Sequence, residues 1–445
     1  MSEKKVTWLG LAIPLFFETV LKNLMSTIAT AMMKGYGDEA VSAIGVANQY
    51  LNMAVTFFTI AGTAAGIIIS QYLGANDKKM ASVVSTTAMS TNFVFGTVVG
   101  VFSVFISKYF AGWMGLTGSV ADDCTIYLRY VVITAGIQGL ISTASAIFRN
   151  YGNPRIPMYV LVFANLLAIF GNYLVIYKPG VLPIEGVGGI GIIRLFSDSV
   201  ACIIMLAILF RSGFEIDFKG IFHPDIKVAG RVIGLGFVSG MEGIAYNISS
   251  LITTGFLTSF GVAQISGKVY LNSILCYVFV AGMTLGQANQ ILVGRAVGAG
   301  DTDEADRLTR RTSFAVLGCN IVLSLACMLF AAPLFSIFTD SPEILKICSN
   351  VLYIDIFVEI GRALSHIYNN ALRGSGYVKI PALVSACSML LVGAGLAGFF
   401  GATLKMGIYG IWAGMACDEL IRGGISFVLW KKGVWKKTNL IGREA

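Results

Sequence analysis

FRNYGNPRIP, residues Phe148 to Pro157, returns in altered form as LRGSGYVKIP, residues Leu372 to Pro381. The two stretches lie 224 positions apart. The same offset joins Gly10 and Leu11 to Gly234 and Leu235, Glu18 to Glu242, Gly37 to Gly261, Gly62 to Gly286 and Cys124 to Cys348. It also joins LGAND (Leu73 to Asp77) to VGAGD (Val297 to Asp301). A 445-residue chain that repeats once at about half its length is built from two copies of one unit, here 1–215 and 216–445, with the polar stretch 211–227 as the linker.

Each copy is a string of apolar runs. Hydrophobic residues make up 56% of the chain against 13% charged, and about 20 apolar residues cross a bilayer, so a soluble fold is excluded. Spans are expected near 8–33, 44–72, 84–108, 124–148, 157–177, 187–210, 229–258, 267–293, 311–337, 345–371, 380–403 and 407–430. The fold class is therefore all-α integral membrane, with twelve transmembrane helices in two six-helix lobes related by a pseudo-twofold axis along the membrane normal. The apolar run after Met1 to Lys5 continues to Met33, too long for a signal peptide, and reads as the first span.

An even number of spans puts both termini on one side. That side carries most of the Lys and Arg, while the other carries only Lys34, Lys108, Lys178, Lys268, Lys346 and Lys405, so both termini are expected to be cytoplasmic. The net charge of +8 then follows from topology, and no nucleic-acid partner is implied. Eight cysteines stand singly, without a CxxC pair, and the two histidines, His223 and His366, are far apart, so neither a disulfide framework nor a metal site is indicated. No cofactor is expected beyond a coupling ion, sodium or proton. The partners expected are small organic substrates and the lipid bilayer, and two lobes in one chain make a monomer sufficient.

The carriers of a family resemblance are IPLF (Ile13 to Phe16), GYGDEAVSAIGVANQ (Gly35 to Gln49), SQYLGANDKK (Ser70 to Lys79), the FRNYGN turn, QILVGRAVGAGD (Gln290 to Asp301) and EIGRALSHIYNNALRGSGY (Glu359 to Tyr377). With these the chain resembles the multidrug and toxic compound extrusion (MATE) family of the MOP flippase superfamily over essentially its whole length. The resemblance implies lobes arranged as a V around a central cavity in the inner (plasma) membrane of a bacterium or archaeon. It also implies sodium- or proton-coupled antiport that exports cationic, often aromatic, compounds by alternating access. The departures are specific. Many members carry a first-span aspartate where this chain has Ala29, and fifth-span Asn and Asp where it has Ala168 and Asn172. Members that use a seventh-span glutamate and a tenth-span aspartate are matched here by Tyr246 and Arg362, while Pro14, the bending proline of the first span, is retained.

An ionisable side chain inside the bilayer is a functional candidate by default. In the first span Glu18 shares a face with Ala29, and Lys22 stands one turn after Glu18 in the order that favours an ion pair, so Glu18 reads either as a displaced coupling carboxylate or as Lys22's partner. Glu242 repeats the position without a following lysine and is expected to rely on another helix; a carboxylate with no fixed partner would suit a proton carrier. In the tenth span Asp355, Glu359, Arg362, His366 and Asn369 form a polar stripe that cannot face lipid, with Arg362 expected on Glu359 and Glu242. The alternative is a static salt-bridge cluster. Arg194 with Asp198, and Asp418 with Glu419 and Arg422, read as pairs that neutralise each other. Substrate-cavity candidates are Gln49, Gln138, Asn165, Asn172, Tyr246, Asn247, Gln287, Gln290 and His366.

Three other functions compete. A lipid-linked saccharide flippase of the same superfamily would present a strongly cationic cavity to pyrophosphate, whereas intramembrane acids here balance the bases. A membrane-embedded enzyme would need a nucleophile beside a base, and the chain has no GxSxG, HExxH or pair of nearby histidines. A passive channel fits poorly with a twofold repeat in one chain. Ala29 at the usual aspartate position also leaves uncoupled, substrate-driven transport open.

Overall fold

In the computed structural model the described residues are 7–33, 43–44, 47, 62–113, 118–178, 180–181, 183–184, 186–438 and 440–441. The helices are α1 (Trp8–Met33), α2 (described over 62–74), α3 (Lys78–Trp113), α4 (Ser119–Ile133) and α5 (Ala135–Asn150). Then follow α6 (Arg155–Tyr177), α7 (Gly186–Arg211), α8 (Ile226–Leu257), α9 (Val262–Gly298), α10 (Thr302–Leu329), α11 (Ala331–Phe335) and α12 (Pro342–Gly374). The last are α13 (Lys379–Thr403, whose second half contains two wide π-helical stretches) and α14 (Ile408–Lys431).

Among the described residues eight helices are long and apolar enough to cross a membrane, and α4 with α5 passes as one span bent by 47°. The sequence pattern predicts a single span over 124–148. The bend falls at Thr134, whose hydroxyl donates to the Val131 carbonyl at 2.5 Å and so competes with the helix ladder. Helices α12 and α14, 33 and 24 residues long, are missing from the apolar set. The reason is chemical: Asp355, Glu359 and Arg362 interrupt one, and Asp418, Glu419 and Arg422 the other.

The chain divides into two compact units, Met1–Ile69 with Asp77–Gly236 and Ser70–Asn76 with Phe237–Ala445. Each has its own apolar core, and the two cores use repeat-equivalent positions. Cys124, Leu128 and Val187 are buried in the first as Cys348, Leu352 and Ile411 are in the second. The equivalence fails at Ile44 and Val131, buried aliphatics of the first core, which become Lys268 and Asp355 in the second unit.

The repeated motifs are turns. Gly152 and Gly376, the glycines of FRNYGN and LRGSGY, have φ of 84° and 90°, a conformation that a side chain would oppose, and each ends a helix carrying an arginine in its last turn, Arg149 or Arg373. LGAND and VGAGD each place an aspartate at a helix start: Asp77 accepts from the Met80 N–H at 2.9 Å and Asp301 from the Glu304 N–H at 2.8 Å. The stretch 211–227 lies on the first turns of α3. Ser82 Oγ accepts from the Asp217 N–H at 2.8 Å, Ser90 Oγ donates to the Ile221 carbonyl at 2.5 Å, and Lys78 pairs with Glu215 at 3.0 Å.

Candidate functional site

The sequence pairs Glu18 with Lys22. In the structure Glu18 instead receives the Arg149 guanidinium of the FRNYGN turn, because α1 packs against α6, the helix that follows that turn, and Arg149 reaches it from the helix end. Lys22 makes no ion pair among the described residues but lies within electrostatic reach of Glu18, Arg149, Arg194 and Asp198. Arg194 is bound to Asp198 at 3.0 Å. This half of the molecule therefore gathers two carboxylates and three cations, Glu18 and Asp198 against Lys22, Arg149 and Arg194.

The second unit makes the repeat-equivalent contact, Arg373 on Glu242. A second guanidinium, Arg422 of α14, stands 3.4 Å from Glu242. Glu242 therefore relies on other helices, with one guanidinium from α12 and one from α14, and is not a carboxylate without a fixed partner. From there the network spreads. Arg422 reaches Glu419 at 2.6 Å and Asp418 at 3.5 Å, and Arg362 is bound to Glu359 and lies 3.5 Å from Glu419. Arg362 therefore does hold Glu359, but Glu419 occupies the place expected of Glu242. Asn320 donates to Glu359 Oε2 at 2.9 Å, Ser388 to Asp418 Oδ1 at 2.5 Å and Trp412 to Asp355 Oδ1 at 3.0 Å.

The balance of this cluster is its main property. Five carboxylates, Glu242, Asp355, Glu359, Asp418 and Glu419, face three guanidiniums, Arg362, Arg373 and Arg422. Asp355 has no cation within ion-pair distance among the described residues, is 2% exposed, and keeps its buried Oδ2 without a hydrogen-bond partner. An uncompensated carboxylate in such a place costs several kcal/mol unless a cation or proton joins it.

Close helix approach makes the cluster possible. A Cβ on Gly361 would lie 2.5 Å from the Leu420 N, and one on Gly423 2.8 Å from the Gly361 carbonyl. These two glycines let α12 and α14 touch backbone to backbone and bring Glu419 and Arg422 onto the Arg362 face. His366, on the same stripe, packs edge-on against Phe279 at 5.2 Å, and Arg362 lies 5.3 Å from that ring centre.

The other candidates are scattered. Gln290 and Asn172 are buried, Gln138 and Gln287 half-buried, and Tyr246 and Asn247 exposed. The amides of Asn165 and Asn247 are turned back onto their own helices, bonding Leu161 and Gly243 carbonyls at 2.8 Å. Gln49 lies outside the described residues, Pro14 sits inside α1, and Asn369 is bonded to Ser385 and Ser426. Sequence reasoning missed Arg149 and Arg373 as partners, though both stand in the repeated motif and share the offset of the glutamates they bind. It also missed Lys268, counted as a loop charge. Lys268 is 7% exposed, and its ammonium donates to Thr254 Oγ1 at 2.8 Å, Thr253 Oγ1 at 3.1 Å and the Ser250 carbonyl at 3.4 Å.

A family profile described as MatE matches residues 14–174 and 239–397, once in each repeat. The chain belongs to the MatE family. A MATE protein is a transporter and not an enzyme, needs no cofactor, and crosses the plasma membrane many times, with twelve helices in two lobes. Among its relatives is the uncharacterized transporter YisQ of Bacillus subtilis, 31% identical over 98% of this chain and 96% of that protein. Another is the probable multidrug resistance protein NorM of Thermotoga maritima, 24% identical over 98% and 94%. The fold is shared with a MATE transporter crystallised with MaD3S, at a TM-score of 0.89 and 18% identity over 97% of this chain and 96% of that one. It is also shared with a MOP-superfamily transporter of Pyrococcus furiosus, at 0.88 with the same identity and coverage.

Proposed function

We propose that this MATE transporter is a secondary active exporter of amphipathic organic cations that works by cation antiport and alternating access, with coupling seated in the charge network of its second lobe. The observation that carries this reading is the excess of carboxylates over guanidiniums there, with Asp355 buried and no cation within ion-pair distance of it among the described residues. A proton or sodium ion entering at Asp355 and Glu359 neutralises the excess and loosens the hold of Glu359 on Arg362, which changes how tightly α12 and α14 are tied. The same acid excess suits a cationic cargo better than the pyrophosphate of a lipid-linked saccharide. The relatives named for multidrug resistance support the substrate class, and the basic residues crowded on the side of the termini support a cytoplasmic location for both ends.

The test is dye-cation export in proteoliposomes under a proton gradient and a sodium gradient imposed separately, for wild type, Asp355→Asn and Glu18→Gln. One gradient is expected to drive export, and Asp355→Asn, which keeps an acceptor for Trp412, is expected to abolish the dependence on it while Glu18→Gln retains it. Gradient-driven export undiminished in Asp355→Asn would overturn the assignment of coupling to the second lobe.

A further inference from the structure

Where α7 ends and the segment 211–227, strapped onto α3, begins, the first unit holds a cavity of about 390 Å³ that the transport mechanism does not use. It is lined by Ile156, Ile203, Ile204, Ala207 and Ile208, together with Asn153, Arg211 and Ser212. Phe214 closes one end and is fixed there by stacking on Tyr151 at 4.4 Å and by an edge contact with Phe148 at 5.8 Å. Ile203 is 66% exposed, so the cavity opens on the surface that a membrane-spanning α7 turns to lipid. Arg211 is exposed at its mouth and makes no ion pair among the described residues. An isoleucine-lined slot that also touches an exposed arginine at the end of a membrane span has the chemistry of one amphiphile. The apolar wall takes an acyl chain, and the guanidinium takes a phosphodiester through paired N–H donors.

We infer that this cavity is a binding site for an anionic phospholipid, with one acyl chain against Ile203, Ile204 and Ile208 and the headgroup phosphate on Arg211. A zwitterionic lipid presents the same phosphate beside a quaternary ammonium that the arginine repels, so the site discriminates by charge. The occupant would fill the gap between α7 and the start of α6 and brace the strapped segment through Phe214.

The experiment is native mass spectrometry of the full-length protein, delipidated in detergent and titrated with phosphatidylglycerol or phosphatidylcholine, on wild type, Arg211→Gln, Ala207→Leu and a control, Arg231→Gln. Wild type and the control should retain phosphatidylglycerol in preference to phosphatidylcholine. Arg211→Gln should reduce that preference by roughly fivefold, the worth of one arginine at a membrane surface. Ala207→Leu, which narrows the slot without adding charge, should weaken retention of both lipids. Gradient-driven export by each variant serves as the check on folding. An unchanged preference in Arg211→Gln, or retention of sn-glycerol-3-phosphate, titrated in the same way, as strong as that of phosphatidylglycerol, would overturn the inference.

Discussion

The two halves of this transporter place the same ion pair at the same repeat position, Glu18 with Arg149 and Glu242 with Arg373, and surround it with opposite charge. In the first half the neighbouring helix carries Arg194 and then Asp198. In the second the equivalent positions are reversed, Asp418 and then Arg422, so that a guanidinium faces Glu242. The first cluster has one cation to spare and the second has two carboxylates to spare. A duplicated scaffold can thus keep its ion pair in both copies while a change of order on one helix face leaves only one copy with an excess of carboxylates.

Helix spacing follows the same division. Gly361 and Gly423, at the tight crossing of α12 and α14, are matched in the first half by Ile137 and Ser199, which cannot pack so closely. The second network is dense because its helices touch. The first remains a chain of separate pairs.

The largest effect should come from Arg362→Met, which leaves Glu359 buried without its cation and Glu419 with Arg422 alone. A loss of about 3–5 kcal/mol is expected in thermal or denaturant unfolding in detergent. Gln138→Met, at the equivalent first-half position, should cost less than about 1 kcal/mol, and equal losses would break the contrast. Next come the two glutamates. Glu242→Gln strips Arg373 of its carboxylate and loosens Arg422, which keeps Glu419, and should cost more than Glu18→Gln, each by about 1.5–3 kcal/mol for the charged hydrogen bond lost. Reciprocal exchanges test the helix spacing. Gly423→Ser should cost about 1–3 kcal/mol by overpacking against Gly361, whereas Ser199→Gly should cost only about 0.5–1 kcal/mol in helix propensity. The smallest effect belongs to the exposed pair under the strapped segment, where Glu215→Gln should change stability by less than about 1 kcal/mol. A larger loss there would mean that the strap contributes more than its surface contacts indicate.

Much of this was legible in the linear chain because hydrophobic period and length are local quantities. The apolar runs, the turns at Gly152 and Gly376 and the helix starts at Asp77 and Asp301 are all set within a few residues. The stripe of Asp355, Glu359, Arg362 and His366 was legible as well, since one helix face is fixed by its spacing. The partners were not. Lys22 stands one turn from Glu18, yet Arg149, 131 positions away, takes the carboxylate. Lys268 looks like a loop charge at the start of a span, yet it is buried against the end of α8.

By itself, then, the sequence determined a membrane protein of two repeated halves, its spans and the faces on which its charges stand, because each depends on the energy of burying a short stretch of chain in lipid. The tertiary structure decided which charges meet. Ion pairs are settled by distances of a few ångströms between helices, and those distances depend on which small residues face each other across a crossing, as Gly361 and Gly423 do.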